Sequence, residues 1–207
     1  MNRRTLINTL GLAPLALISS KITSFDSIVA HLIKRWKKSE EYTLAVFNTM
    51  PSAEIEFRPS KEQFSFAQHF FHLAFINVTY FGVLMDSKTY KDIYALLEAD
   101  FIIPPPDGID VFQPDTLKAR PSEENAALVS RYVSQTYAYV LSSLNQLEDA
   151  RLTAGLDKEK PEYLSGHTYL DLIIRGEAHT AHHRAQAIAY LRMKGIRPPG
   201  YSINNKF

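Results

Sequence analysis

The chain has 207 residues, 45% of them hydrophobic and 12% aromatic, and its 23 basic side chains nearly balance 22 acidic ones for a net charge of +1. That is the length of one domain with enough apolar material for a core, and a neutral balance without basic runs argues against nucleic acid as the main partner. With no cysteine present, disulfides, cysteine-held iron–sulfur clusters and thiolate zinc sites are excluded, so any metal must rest on His, Asp, Glu or water.

The first segment, residues 1–22, reads as a twin-arginine export signal. Arg3 and Arg4 open it, an uncharged run from Thr5 to Ser20 follows, and Lys21 closes it. A basic start, a moderately apolar run and small residues at the end are the pattern of a chain exported in folded form. A periplasmic location is therefore expected; the alternative is a cytoplasmic chain whose first residues dock as an amphipathic segment. The run is too short for a comfortable membrane span, so no span is expected. The remaining residues, 23–207, are assigned to one domain.

The pattern in that domain is helical almost throughout. Residues 24–49 place Phe25, Ile28, Val29, Leu32, Ile33 and Trp36 at amphipathic spacing. Pro51 and Pro59 then break the element. A second helix is expected from Ser65, where Ser65 and Gln68 form a capping-box pair. It continues to Met85 and is apolar on most sides, which predicts deep burial. Residues 87–121 hold one short helical piece and then four prolines and one glycine between 104 and 114, which forbid a long regular element. They read as a crossover loop with a partly apolar cover in Phe101, Ile102, Ile103 and Phe112. Long loops of this kind are often functional.

A third helix follows Pro121, with Ser122 as its expected cap and Glu123 and Glu124 in the first turn. The fourth starts at Thr168, with Asp171 three positions on, and runs to Lys194, where Gly195 and then Pro198 and Pro199 end it. No segment has strand periodicity. Four long helices with one long crossover between the second and third predict an all-α four-helix bundle.

The fourth helix carries His179, His182 and His183 within five positions. Residues four apart lie on one helix face, so His179 and His183 can chelate a single ion. His182 falls about 100° from His183 and is not expected to share it. Arg175, Gln186 and Tyr190 project from the same stripe. The spacing alone does not separate a metal pair from a hydrogen-bonded polar face. Thr180 after His179 rules out the metalloprotease HExxH pattern, and the second helix lacks the inward carboxylates of a di-iron bundle. That helix instead offers His69 and His72 in an apolar run, where burial disfavours imidazolium and a neutral metal ligand would suit. A core histidine bonded to a backbone carbonyl would suit as well. His31 and His167 read as surface or helix-end residues, and Arg184 as a surface residue. Glu62 and Asp171 are the nearest candidates for a general base, by rough position only.

These residues resemble the DinB-like (DinB/YfiT) superfamily. Its closing motif, H-x-x-x-H-R-G-Q, an apolar stretch, L-R, glycine and proline, is similar to His179, His183, Arg184, Ala185, Gln186, Leu191, Arg192, Gly195, Pro198 and Pro199, with alanine in place of the usual first glycine. The segment SFAQHFFHLAF resembles the second-helix motif, whose histidine falls about seven residues after a Ser or Thr cap, and so selects His72. The resemblance implies a three-histidine site of His72, His179 and His183 for zinc, nickel, manganese or iron. Gln186 and Tyr190, one and two turns on along the same stripe, are substrate-contacting candidates by position. The resemblance also implies a metal-dependent enzyme of thiol-dependent transferase or hydrolase type acting on a small molecule, and a chain that is often a homodimer. A non-enzymatic metal- or ligand-binding bundle is the rival reading.

Overall fold

The structure, a computed structural model, describes residues 27–156, 164 and 166–200. The export-signal pattern over 1–22 lies outside them. Among the described residues six α-helices follow one another: α1 (Ile28–Phe47), α2 (Phe66–Met85), α3 (Ile93–Leu97), α4 (Ser122–Leu144), α5 (Asp149–Leu152) and α6 (Tyr169–Met193). Short 3-10 turns at Ser52–Glu54 and Pro106–Gly108 punctuate the connections. Among the described residues the only bridge between extended segments is an isolated one, from Gly155 to Thr168. The four long helices, α1, α2, α4 and α6, form the bundle, and α2 packs chiefly against α4 and α6.

The ends of these helices follow from their sequences. Ser65 accepts from the Gln68 amide while the Gln68 side chain accepts from the Ser65 amide, closing a capping box at α2. Thr168 and Asp171 do the same at α6. Gly195 takes φ +72° just past α6, a left-handed conformation that glycine adopts without strain. Two caps were not expected. The first amides of α1, on Ile28 and Val29, donate to the Asp149 carboxylate, which is 121 residues from Ile28 in the chain. The N-cap of α4 is Pro121 rather than Ser122, and it makes no side-chain hydrogen bond.

The apolar run of α2 is buried as its composition predicts: between Phe66 and Leu84 only His72 and Ile76 keep appreciable exposure. Phe47 stacks on Phe66 and meets Phe70 edge-on, while Trp36 meets Phe81 at 5.2 Å between ring centroids. Gly82 lets the crossover dock, because a Cβ there would overlap the Phe101 ring. No described helix is long and apolar enough to cross a membrane.

A second, polar layer sits between α1, α4 and α6. The buried Tyr137 hydroxyl lies 3.1 Å from Ser39 Oγ and 3.0 Å from Thr43 Oγ1. Arg184 donates to Thr43 Oγ1 at 3.0 Å and to Ser39 Oγ at 3.3 Å, and its guanidinium lies 4.8 Å from the Tyr42 ring centroid. Arg184 is only 3% exposed, so its expected surface role is wrong. One residue past His183 is a turn of about 100°, which points Arg184 at α1 instead of at solvent.

Candidate metal centre

Three histidines from two helices meet at one point in the bundle. One ring nitrogen from each of His72, His179 and His183 lies within 4.8 Å of the others. His72 comes from α2, where it is one of the few positions left open by that helix. His179 and His183 come from successive turns of α6. Their rings sit 4.4 Å (His72–His183), 4.6 Å (His179–His183) and 5.0 Å (His72–His179) apart by centroid.

The hydrogen bonds determine which nitrogens face the shared space. His72 Nδ1 lies 2.6 Å from the Val111 carbonyl oxygen. A carbonyl only accepts, so Nδ1 carries the proton and Nε2 of the neutral ring is a lone pair. That Nε2 lies 3.1 Å from His179 Nε2. Two nitrogens on one tetrahedral zinc are separated by about 3.3 Å, from the usual zinc–nitrogen length, so the pair already has the spacing of ligands. Without an ion, His179 Nε2–H donates to His72 and leaves His179 Nδ1 buried with no partner. His183 Nδ1 lies 3.0 Å from Nδ1 of His69.

Electrostatics keep this cluster neutral. Burial, followed by the neighbouring imidazoles, pushes His179 down to about 4 and His183 down to about 2. Burial and then the neighbouring histidines His72 and His182 put His69 at about 4. His72 is lowered by burial as well, against the opposing pull of the Val111 hydrogen bond. Neutral imidazoles are the form that ligates a metal. The donor set, its spacing and its protonation therefore fit a divalent ion.

The crossover supplies the surroundings. Gln68, already engaged in the capping box, donates its Nε2 to the carbonyls of Asp110 at 3.1 Å and Gln113 at 3.0 Å. Asp110 Oδ1 in turn accepts from the Phe112 and Gln113 amides. This tight turn presents the Val111 carbonyl to His72. It also sets Phe112, 43% exposed, edge-on to His72 and to Phe75. Phe64 packs beside His69, His72 and His183. The apolar cover expected of the loop thus lies partly over the histidines, in Phe112.

Other expected residues fall elsewhere. Gln186 reaches the exposed His182, its Nε2 lying 2.6 Å from His182 Nε2. Tyr190 is buried beside His69, with ring centroids 5.2 Å apart, and its hydroxyl donates to the Phe64 carbonyl. Arg175 lies over the Tyr80 ring. Asp171 is committed to the α6 cap and Glu62 is an exposed partner of Lys61, so neither general-base candidate is placed to serve the histidines. The sequence offered His69 only as an alternative to His72 and gave Gln68 only a capping role; Val111 was not singled out. His69 carried a signal, being three residues from His72 and on the same helix face. A backbone carbonyl carries none.

A family model described as the DinB superfamily matches residues 35–187. Among solved structures, a DinB-like protein from Bacillus cereus ATCC 10987 is similar in fold, with a TM-score of 0.55 at 12% identity, over 84% of this chain and 97% of that one. At that identity the likeness bears on the fold alone. No curated protein matches the chain.

Proposed function

For a chain that belongs to the DinB superfamily, we propose a mononuclear metal centre on His72, His179 and His183 that serves a metal-dependent enzyme of transferase or hydrolase type. The observation that carries this reading is the convergence of three neutral imidazoles, with two of their nitrogens 3.1 Å apart. Bound there, a divalent ion supplies Lewis acidity and lowers the pKa of whatever occupies its open position. Three protein ligands with room for a fourth are the arrangement of catalytic sites, whereas structural sites are closed. An all-imidazole set suits zinc, nickel or iron better than manganese, which prefers oxygen.

The chain's own residues have defined tasks in this reading. Val111 holds the His72 tautomer, Gln68 holds the turn that carries Val111 through the Asp110 and Gln113 carbonyls, and Phe64 and Phe112 keep water from one side of the cluster. Among the described residues no carboxylate pairs with the histidines. A substrate nucleophile that ionises near neutrality needs least help from a base, and a thiol, at about 8.5, is such a group. A small thiol is therefore the favoured co-substrate. Export of the folded, loaded chain and a homodimer belong to the same reading; cell fractionation and light scattering test them.

The first test is elemental mass spectrometry of the purified, untagged protein beside His179→Ala. About one equivalent of zinc, nickel or iron, lost in the variant, is expected. A chain that takes up no ion after each is added in turn overturns the proposal. It would leave a bundle whose clustered histidines are held only by hydrogen bonds, to one another and to the Val111 carbonyl.

A further inference from the structure

We infer that His69 is a positioning residue for the metal centre: its Nδ1 accepts the Nδ1–H of His183 and thereby leaves His183 Nε2 as the nitrogen free to bind. The inference rests on the metal reading above and assigns a fourth histidine to it, outside the ligand set.

The geometry offers two arrangements of protons. The two Nδ1 atoms lie 3.0 Å apart, so one must donate and the other accept. If His69 donates, a neutral His183 keeps its proton on Nε2. The nitrogen with no other hydrogen-bond partner is then capped by hydrogen and cannot ligate. If His183 donates, its Nε2 is a lone pair, and a hydrogen bond to the far nitrogen raises the basicity of a ligating imidazole. Only the second arrangement is compatible with three ligands.

The surroundings hold His69 in place for this role. It is 2% exposed, on the α2 turn before His72, and its ring is wedged between Phe64 and Tyr190. Tyr190 is itself pinned by its bond to the Phe64 carbonyl. The second arrangement puts the His69 proton on Nε2, which is buried and has no hydrogen-bond partner among the described residues. A buried polar atom without a partner is a cost to folding. A side chain kept at that cost in a well-packed core is better explained by its other nitrogen, which touches His183. The Tyr190 position therefore acts on the centre through His69.

The test is a zinc titration of the full chain against a chromophoric chelator, for wild type, His69→Leu and His69→Asn. Asparagine can place its Oδ1 where the histidine Nδ1 stands, so it keeps an acceptor; leucine fills the space without one. Expected are a loss of about 10–100-fold in zinc affinity for leucine, the range for lost outer partners of a metal ligand, and a loss within about threefold for asparagine. The metal-free leucine variant is expected to melt close to wild type, because the unpaired His69 Nε2 goes while His183 Nδ1 loses its partner. Nitrogen-15 spectra of the zinc-loaded wild type are expected to show His183 protonated on Nδ1. Equal affinity in all three chains overturns the inference, as does equal loss in both variants, or a His183 proton found on Nε2. A wild type that binds no zinc overturns the metal reading itself, which keeps the two failures distinct.

Discussion

Helix α6 carries two polar clusters on neighbouring faces, and they are built on opposite rules. Toward α1, Arg184, Ser39, Thr43 and Tyr137 form a network in which no side-chain atom is buried without a partner. Toward α2, the histidines crowd together and leave His69 Nε2 and His179 Nδ1 buried and unpaired. A closed network holds helices together; it offers nothing to a ligand. A cluster with nitrogens to spare, and no carboxylate paired with it among the described residues, is unfavourable alone and is the one that would gain from an ion. The difference is in how completely the polar atoms are satisfied, since both clusters are largely withdrawn from water.

That contrast can be broken or sharpened by experiment. The largest effect is expected at the ligands. His72→Ala or His183→Ala should remove most bound metal, read by elemental analysis. The metal-free variants should melt below the metal-free wild type only by what the lost ring contributed through its own contacts, such as the His72 bond to the Val111 carbonyl. A large fall in melting temperature without metal loss would put the histidines in the same class as the Arg184 network. Next, Thr43→Val should lower stability by about 1.5–3 kcal/mol, the usual loss for a hydrogen bond to a charged group, measured by denaturant unfolding. Its metal content should stay at the wild-type value; a drop would show that the two faces of α6 are coupled.

Acid gives a third, smaller effect with a definite sign. In the folded, metal-free chain His69 and His179 are held at about 4 and His183 at about 2, below the ordinary value of about 6.5 that the unfolded chain shows. Between those values the unfolded chain takes up protons that the folded chain refuses, so stability is lost as pH falls from about 6.5 toward 4. For a fully buried histidine such as His69 the limit is about 1.4 kcal/mol per pH unit. Melts in chelator from pH 7.5 to 4.5 should show this loss, and His69→Leu should flatten it. On the other face Ser39 and Thr43 carry no ionisable group and burial raises the Tyr137 hydroxyl, so no slope is expected from these partners of Arg184. The smallest effect is expected from His182→Ala, since His182 is exposed and faces Gln186. Its metal content and melting temperature should both match wild type; metal loss there would mean that the stripe on α6 has been misassigned.

Much of this arrangement was legible in the sequence because it depends on local physics. The capping boxes at Ser65 and Thr168, the glycine turn after α6 and the prolines of the crossover are all short-range signals, and each helix they bound is present. The i, i+4 pair His179 and His183 is a property of helix geometry alone. The cap at Ser122 failed because Pro121, whose ring presets the backbone before a helix, took the N-cap position. Arg184 failed for a different reason. A charged residue on a bundle helix is normally exposed, and only the approach of α1, with Ser39 and Thr43 at matching heights, makes its burial tolerable.

The sequence by itself determined the four long helices, most of their ends, the long crossover and the set of side chains able to hold a metal. Those follow from period, capping and composition, which act over a few residues. The tertiary structure decided what spacing alone left open: which histidines meet and in which protonation. It brought His72 of α2 to His179 and His183 of α6, set the Val111 carbonyl against one ring and His69 against another, and withdrew them all from water. Each of these depends on the register of one helix against its neighbour and on the path of a loop held by Gln68. Such positions are fixed by packing between residues about a hundred places apart in the chain, and no local pattern encodes them.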